Sequence, residues 1–187
     1  MHGYTFMTPR GGGYASGKGD PWKVGETRVS GVEPYVASVD PWGALALAGP
    51  TDTVLCLVEL GGERQRDPGT WTGPVQRLVH VKHMEEGLRR FAAQFADEAY
   101  RHTRQYPQRE CLAAAIAYAR GELDTLEAAF RLRHNNGLFP LPGDWGSWAR
   151  WPWVERVCDE GSAGVHRHLD AQRAAFNDPA QPWVKRP

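Results

Sequence analysis

Two periods divide the chain. Up to about residue 83 the apolar positions alternate or come in short runs, and from Met84 onward they recur every three or four residues. In the first part, residues 2–8 predict a strand, and residues 22–32 hold short β-prone pieces punctuated at Gly25-Glu26 and Ser30-Gly31. Tyr35–Val39 predicts a further strand. Asp40 before Pro41 is an N-cap followed by proline at the first helical position, which predicts a short helix over 41–48 that Gly49-Pro50 stops. Residues 53–60, through Val54-Leu55-Cys56-Leu57-Val58, form the continuous apolar run of a central strand covered on both faces. Residues 61–73 read as a polar loop around Trp71, and Val75–Val81 as a last strand.

Beyond Met84 the apolar stripe Leu88, Phe91, Ala92, Phe95 and Ala99 predicts a helix whose outer face carries Arg89, Arg90, Gln94, Asp97, Glu98 and Arg101. Tyr106-Pro107 ends or re-aims it. Leu112, Ala115, Ile116 and Ala119 make a second stripe that breaks near Gly121. Asp124, with Glu127 three residues on, opens a third segment that closes at Asn135-Asn136-Gly137. A Pro- and Trp-rich loop fills 138–153, and a final helix is expected from about 153 to 177, weakened by Gly161 and Gly164. The expectation is an α+β fold: a small β-sheet with one short helix in residues 1–83, packed against a helical half. That half comprises a helical segment over 84–137 and then the Trp/Pro-rich loop, final helix and tail over 138–187, the whole forming one compact domain.

Composition removes some function classes. The 187 residues carry 22 Lys+Arg and 22 Asp+Glu, and each half is balanced by itself, which argues against a protein that grips duplex nucleic acid by neutralising phosphates. Arg outnumbers Lys 18 to 4 and Ile occurs once, a bias that GC-rich coding produces, so the arginines say more about a genome than about a ligand. No apolar run approaches the roughly 20 residues of a membrane span. Cys56, Cys111 and Cys158 are odd in number and far apart, as expected of a reducing compartment. Cys56 and Cys111 sit in apolar surroundings and read as small buried hydrophobes. With neither a basic nor an apolar leader segment at residues 1–6, the expected location is the cytoplasm.

Two stretches bear a family likeness. His2-Gly3-Tyr4-Thr5-Phe6, Trp22-Lys23-Val24-Gly25-Glu26-Thr27, Val36-Ala37-Ser38-Val39-Asp40-Pro41-Trp42-Gly43-Ala44-Leu45 and Thr53-Val54-Leu55-Cys56-Leu57-Val58-Glu59, in that order, resemble an uncharacterised domain of phage and bacterial proteins. Its members carry a Gly-Tyr/Phe strand, a Val-Gly-Lys-Thr strand and a Phe-His-Phe-Cys strand before an Asn-Pro helix start. Here the third element reads Val-Glu-Pro-Tyr-Val-Ala-Ser, so that family's His and Cys are absent. Residues 90–122, ending Ala-Ile-Ala-Tyr-Ala-Arg-Gly-Glu, resemble helical segments of actinobacterial and phage proteins described as immunity proteins, which implies a helical binding module. The order of elements is also similar to that of ADP-ribosyltransferase-like folds, in which a His and a Tyr grip the nicotinamide ribose end of NAD and a Glu stabilises the oxocarbenium-like transition state. The equivalent positions here are His2, Tyr35 and Glu59.

Other groups of residues could carry chemistry. His80-x-x-His83 with Glu85 and Glu86 is the densest set of metal-type ligands; on a helix the two histidines would share a face, and on a strand they would point apart. His166-x-His168 diverges on a helix. The Gly11–Gly19 stretch with Ser16 and Lys18 lacks the phosphate-loop spacing and reads as a mobile loop. Trp145, Trp148, Trp151 and Trp153, with Arg150 among them, fit either a stacking or partner-binding patch or a lid of large buried side chains, and Trp183 on the tail is a further exposed aromatic candidate. The leading expectation is a small cytoplasmic accessory protein of phage or mobile-element type, without cofactor or metal, that binds another macromolecule, a protein before a nucleic acid. An NAD-dependent ADP-ribosyltransferase-like enzyme is the alternative, and a binder of single-stranded nucleic acid is the second alternative.

Overall fold

The computed structural model describes residues 1–8, 21–49, 52–104, 106–124, 127–128 and 161–181. Two compact units emerge: Met1–Met84 with Phe176–Pro187, and Glu85–Ala175. The fold is α+β, as the change of period predicts.

Among the described residues the first unit holds a seven-stranded antiparallel sheet and one short helix. Its elements are β1 (His2–Met7), β2 (Thr27–Val29), β3 (Tyr35–Ser38), α1 (Pro41–Ala46), β4 (Val54–Gly61), β5 (Gln65–Asp67), β6 (Thr70–Gly73) and β7 (Val75–His83). The spatial order is β2-β7-β4-β1-β3-β6-β5. β4, the longest apolar run, lies at the inside of the sheet between β1 and β7, where both faces are covered.

The stretch 61–73 is not a loop: it contains the β5–β6 hairpin. Asp67 pairs with Thr70 around Pro68-Gly69, and Gly69 has φ +85°, the left-handed conformation of the third position of a type II turn. The residues Gln65-Arg66-Asp67 are all exposed, so no apolar alternation marks that strand in the sequence. The hairpin folds back over the sheet. A Cβ at Gly73 would lie 3.1 Å from the Gly61 carbonyl oxygen and 3.7 Å from Leu60 Cβ, although β1 and β3 separate β6 from β4 in the strand order. The sheet is therefore curled, and its inner face buries Met7, Ala37, Val54, Cys56, Val58, Leu60 and Leu78, with Trp22, Tyr35, Trp71 and Val81 packed against them.

α1 is capped twice. Asp40 Oδ1 accepts from the Gly43 N–H at 2.7 Å, as the Asp-Pro start predicts. The Trp42 N–H donates to Asn177 Oδ1 at 2.9 Å, and the Phe176 ring, fully buried, meets the Trp42 ring edge-on at 5.7 Å. Residues 176–177 thus belong to the same packing as α1, 135 positions away in sequence.

The second unit holds α2 (Glu85–His102), α3 (Tyr106–Arg120) and α4 (Gly161–Phe176, its last residue being the one that packs on Trp42). α2 buries Leu88, Phe91, Ala92, Phe95, Ala96 and Ala99, which includes every position of the predicted stripe. α3 buries Leu112, Ala115, Ile116 and Ala119, and its end is a Schellman motif: Gly121, at φ +77°, donates to the Tyr118 carbonyl and Glu122 to that of Ala117. Asp124 Oδ1 accepts from the Glu127 N–H at 2.8 Å, the cap expected at the start of the third segment, whose continuation lies outside the described residues. Among the described residues, no helix is long and apolar enough to cross a membrane.

Candidate functional site

The residues proposed from sequence are distributed unevenly. Trp145, Trp148, Arg150, Trp151, Trp153 and Trp183, and the Gly11–Gly19 stretch, lie outside the described residues.

His2 and Glu59 stand directly opposite each other on β1 and β4, and Glu59 is in turn opposite Arg77 on β7, with Glu59 Oε2 3.9 Å from Arg77 Nη1. Directly opposed residues share a face. The row Arg77–Glu59–His2 therefore crosses the outer face of the sheet, where it is largely solvated: Glu59 is 43% and Arg77 56% exposed. His2 is held in the ladder, since the Met1 carbonyl accepts from Leu60 N–H at 2.7 Å.

Tyr35 is not part of this row. Tyr4 pairs with Ser38, so antiparallel register brings Tyr35 level with Met7, the far end of β1 from His2, roughly 17 Å away at about 3.3 Å per residue. Tyr35 also faces inward, where its ring meets Trp22 edge-on at 5.6 Å, whereas His2 and Glu59 face outward. Two of the three side chains required for an NAD-gripping constellation converge, and the third is on the opposite face.

The histidines of the His80-x-x-His83 motif are both on β7, which continues past Val81 to His83. His80 pairs with Leu57 and His83 with Val54, three positions apart, so they point to opposite faces. Cys56 and Cys111 are buried and form no disulfide. Burial, with the nearby Asp52 charge second, pushes the Cys56 thiol up to about 12, which removes it as a nucleophile.

The feature that pattern reading missed is the β2 edge. Among the described residues β2 pairs with β7 alone and so stands at one end of the strand order. Leu78 N–H donates to the Glu26 carbonyl and Ser30 N–H to that of Pro74, so the antiparallel alternation makes Arg28–Gln76 the hydrogen-bonded pair between them. The main-chain N–H and C=O groups of Thr27 and Val29 consequently point away from β7, to a side that no strand among the described residues occupies. Three apolar side chains accompany this edge: Val24 is 58%, Val29 71% and Val32 96% exposed.

The opposite edge is built otherwise. β5 presents Gln65, Arg66 and Asp67, a charged and polar strand of the kind that discourages pairing.

β2 is anchored by several contacts. Arg28 Nε donates to Glu26 Oε1 at 2.7 Å, its guanidinium lies 4.9 Å from the Trp22 ring centroid, and Gly25 N–H donates to Leu78 O at 2.7 Å from a residue at φ +91°. The Arg28 hydrogen bond, followed by that from the Lys23 N–H, holds the Glu26 carboxyl below its ordinary range.

A shallow hollow lined by Pro34, Glu63, Gln65, Thr72, Gly73 and Pro74 brings together no group of catalytic type beyond one carboxylate. No family model, no curated protein and no solved structure matches the chain.

Proposed function

We propose that the protein is a binding module that captures an extended segment of a partner protein by adding it as a strand along β2. An accessory role of phage or mobile-element type in the bacterial cytoplasm belongs to the same proposal. One observation supports it: the sheet has two unlike edges, one polar and charged, the other valine-flanked and with outward backbone groups that no strand among the described residues pairs. Strand addition takes affinity from main-chain hydrogen bonds and selectivity from alternate side chains. Thr27 and Val29 offer four such groups, at about 1 kcal/mol net for each bond made. Burial of the three valines contributes about 1.5–3 kcal/mol for each one fully covered.

Charge favours a foreign segment over a second copy. Two β2 strands paired about Arg28, the register with the greatest overlap, would set Arg28 opposite Arg28, and like charges directly opposed destabilise a strand pair. An ADP-ribosyltransferase-like site with NAD has the His2–Glu59 pairing in its favour and the inward position of Tyr35 against it.

The experiment immobilises the native chain, Val29→Lys, Val29→Pro and Arg66→Glu, and challenges each with the same high-GC bacterial lysate. Lysine at position 29 places a charge on the edge, and proline removes an outward N–H that β7 does not use. A protein retained by the native chain and Arg66→Glu, and lost from both Val29 variants, is the expected result. Equal retention by all four, or none by any, overturns the proposal. Self-association that Val29→Lys abolishes would assign the edge to a second copy instead.

A further inference from the structure

Arg28 lies at the middle of β2, and its place in the sheet defines what an added strand would meet there. Arg28 stands directly opposite Gln76, and Gln76 opposite Leu60, so the three share the inner face, where Gln76 and Leu60 are buried. Its neighbours Thr27 and Val29 stand opposite Arg77 and Val75, take the outer face and are both exposed. A strand laid along β2 therefore meets one cationic position on the inner face, between a β-branched polar and an apolar position on the outer face.

The hydrogen-bond alternation fixes the register of that strand. Arg28 and Gln76 form the hydrogen-bonded pair toward β7, so on the other side of β2 the bonding positions are Thr27 and Val29, and Arg28 falls in the non-hydrogen-bonded pair. In an antiparallel addition, the non-hydrogen-bonded pair is the closer one, with Cα atoms about 4.5 Å apart. Antiparallel pairing is the mode of every ladder among the described residues. The residue opposite Arg28 is thus the one this edge reads most directly.

Charge decides what that residue is. The Arg28 guanidinium is positioned by its Nε hydrogen bond to Glu26 Oε1 at 2.7 Å and by the Trp22 ring, whose centroid is 4.9 Å away. Residues 22–30 carry Lys23, Glu26 and Arg28, which leaves one positive charge in excess. Opposite charges directly across a strand pair stabilise it, and like charges destabilise it. A carboxylate complements the position, and a basic side chain opposes it.

Resting on the strand-addition reading above, we infer that the β2 edge selects extended acidic segments of a particular order. From the segment's N-terminus, an apolar residue pairs with Val29, Asp or Glu pairs with Arg28, and a β-branched residue pairs with Thr27. The direction follows from antiparallel register, and the two outer residues cover the exposed Val29 and Thr27 side chains.

The test titrates the ¹⁵N-labelled full chain with the end-blocked peptide Ser-Thr-Val-Glu-Thr-Val-Ser, and with two companions carrying Gln or Lys in place of Glu. Shifts of the Thr27, Arg28 and Val29 amides report binding at the edge. At low ionic strength the Glu peptide is expected to bind most tightly and the Lys peptide least, by roughly threefold or more between them, a spread that narrows in salt. Arg28→Gln, checked for a native sheet spectrum, is expected to bind the three alike; the order on the native chain decides the question even if that variant fails to fold. Equal affinity of the native chain for all three, lost in Val29→Pro, overturns the acidic preference and leaves the edge reading standing. So does tighter binding of the Lys peptide at the same amides. No shift at these amides with any peptide, or shifts that Val29→Pro leaves unchanged, overturns both.

Discussion

Phe176→Ala tests the packing that ties the chain's far end to its first unit. The ring is fully buried and meets Trp42 at 5.7 Å, and α1 lies on the sheet so closely that a Cβ at Gly43 would run into Ser38 Oγ. Truncating a buried phenylalanine removes its transfer free energy and leaves a cavity, at about 3–5 kcal/mol. Asn177→Ala removes the acceptor for the Trp42 N–H, one of the donors a helix start leaves unpaired, at about 1 kcal/mol. Both side chains hold Trp42, so the double variant is expected to depart from additivity by 0.5 kcal/mol or more, on the order of the coupling seen between contacting residues. Urea unfolding followed by far-ultraviolet circular dichroism and by tryptophan fluorescence measures all three. A chain of this length would lose on the order of 10 °C in Tm with Phe176→Ala. A cost below about 1 kcal/mol for Phe176→Ala would refute the reasoning, because no fully buried aromatic ring is that cheap to delete.

Three further outcomes follow from particular contacts. Gly73→Ala pushes a methyl group to 3.1 Å from the Gly61 carbonyl oxygen and is expected to cost about 1–3 kcal/mol, which urea midpoints would show; a neutral result would mean the sheet is not curled there. Burial raises the Asp52 carboxyl above its ordinary 3.8, more than the Gly49 N–H hydrogen bond lowers it. A carboxyl raised on folding contributes stability that is present below its unfolded pKa and lost as pH rises through the folded one. The neutral Asp52→Asn is therefore most favourable relative to the native chain near pH 7, and that advantage shrinks toward acid; parallel stability curves from pH 3 to 7 would contradict this. Glu59→Gln breaks only a solvated 3.9 Å pair, so stability is expected within about 0.5 kcal/mol of native, and nicotinamide release from NAD is expected to be equal in the two chains. Release that drops with the variant would restore the transferase reading.

What the sequence disclosed was what burial writes into it. The β4 run and the α2 stripe are apolar because their positions are covered, and the Asp40-Pro41 and Gly121 signals are local chemistry that needs no tertiary context. β5 escaped because an exposed edge strand has no apolar face to announce it, although Pro68-Gly69 marked its turn. β7 runs to His83 because pairing with Val54 and Leu55 extends the strand beyond its apolar residues. The candidate sites were less legible. The pairing of His2 with Glu59, and the parity that turns Tyr35 inward, are matters of strand register, which spacing along one chain does not contain. Val29 went unremarked because a single exposed valine in a three-residue strand carries no periodic signal.

The measurement closest to the central claim is residue-resolved amide hydrogen exchange of the free chain by NMR. An open β2 edge requires the amides of Thr27 and Val29 to exchange near the rate of an unstructured chain, while Arg28 between them, bonded to Gln76, is protected. That alternation of fast, slow and fast is the predicted result. Protection of Thr27 and Val29 equal to that of Arg28 would show the edge already covered, and would contradict the account.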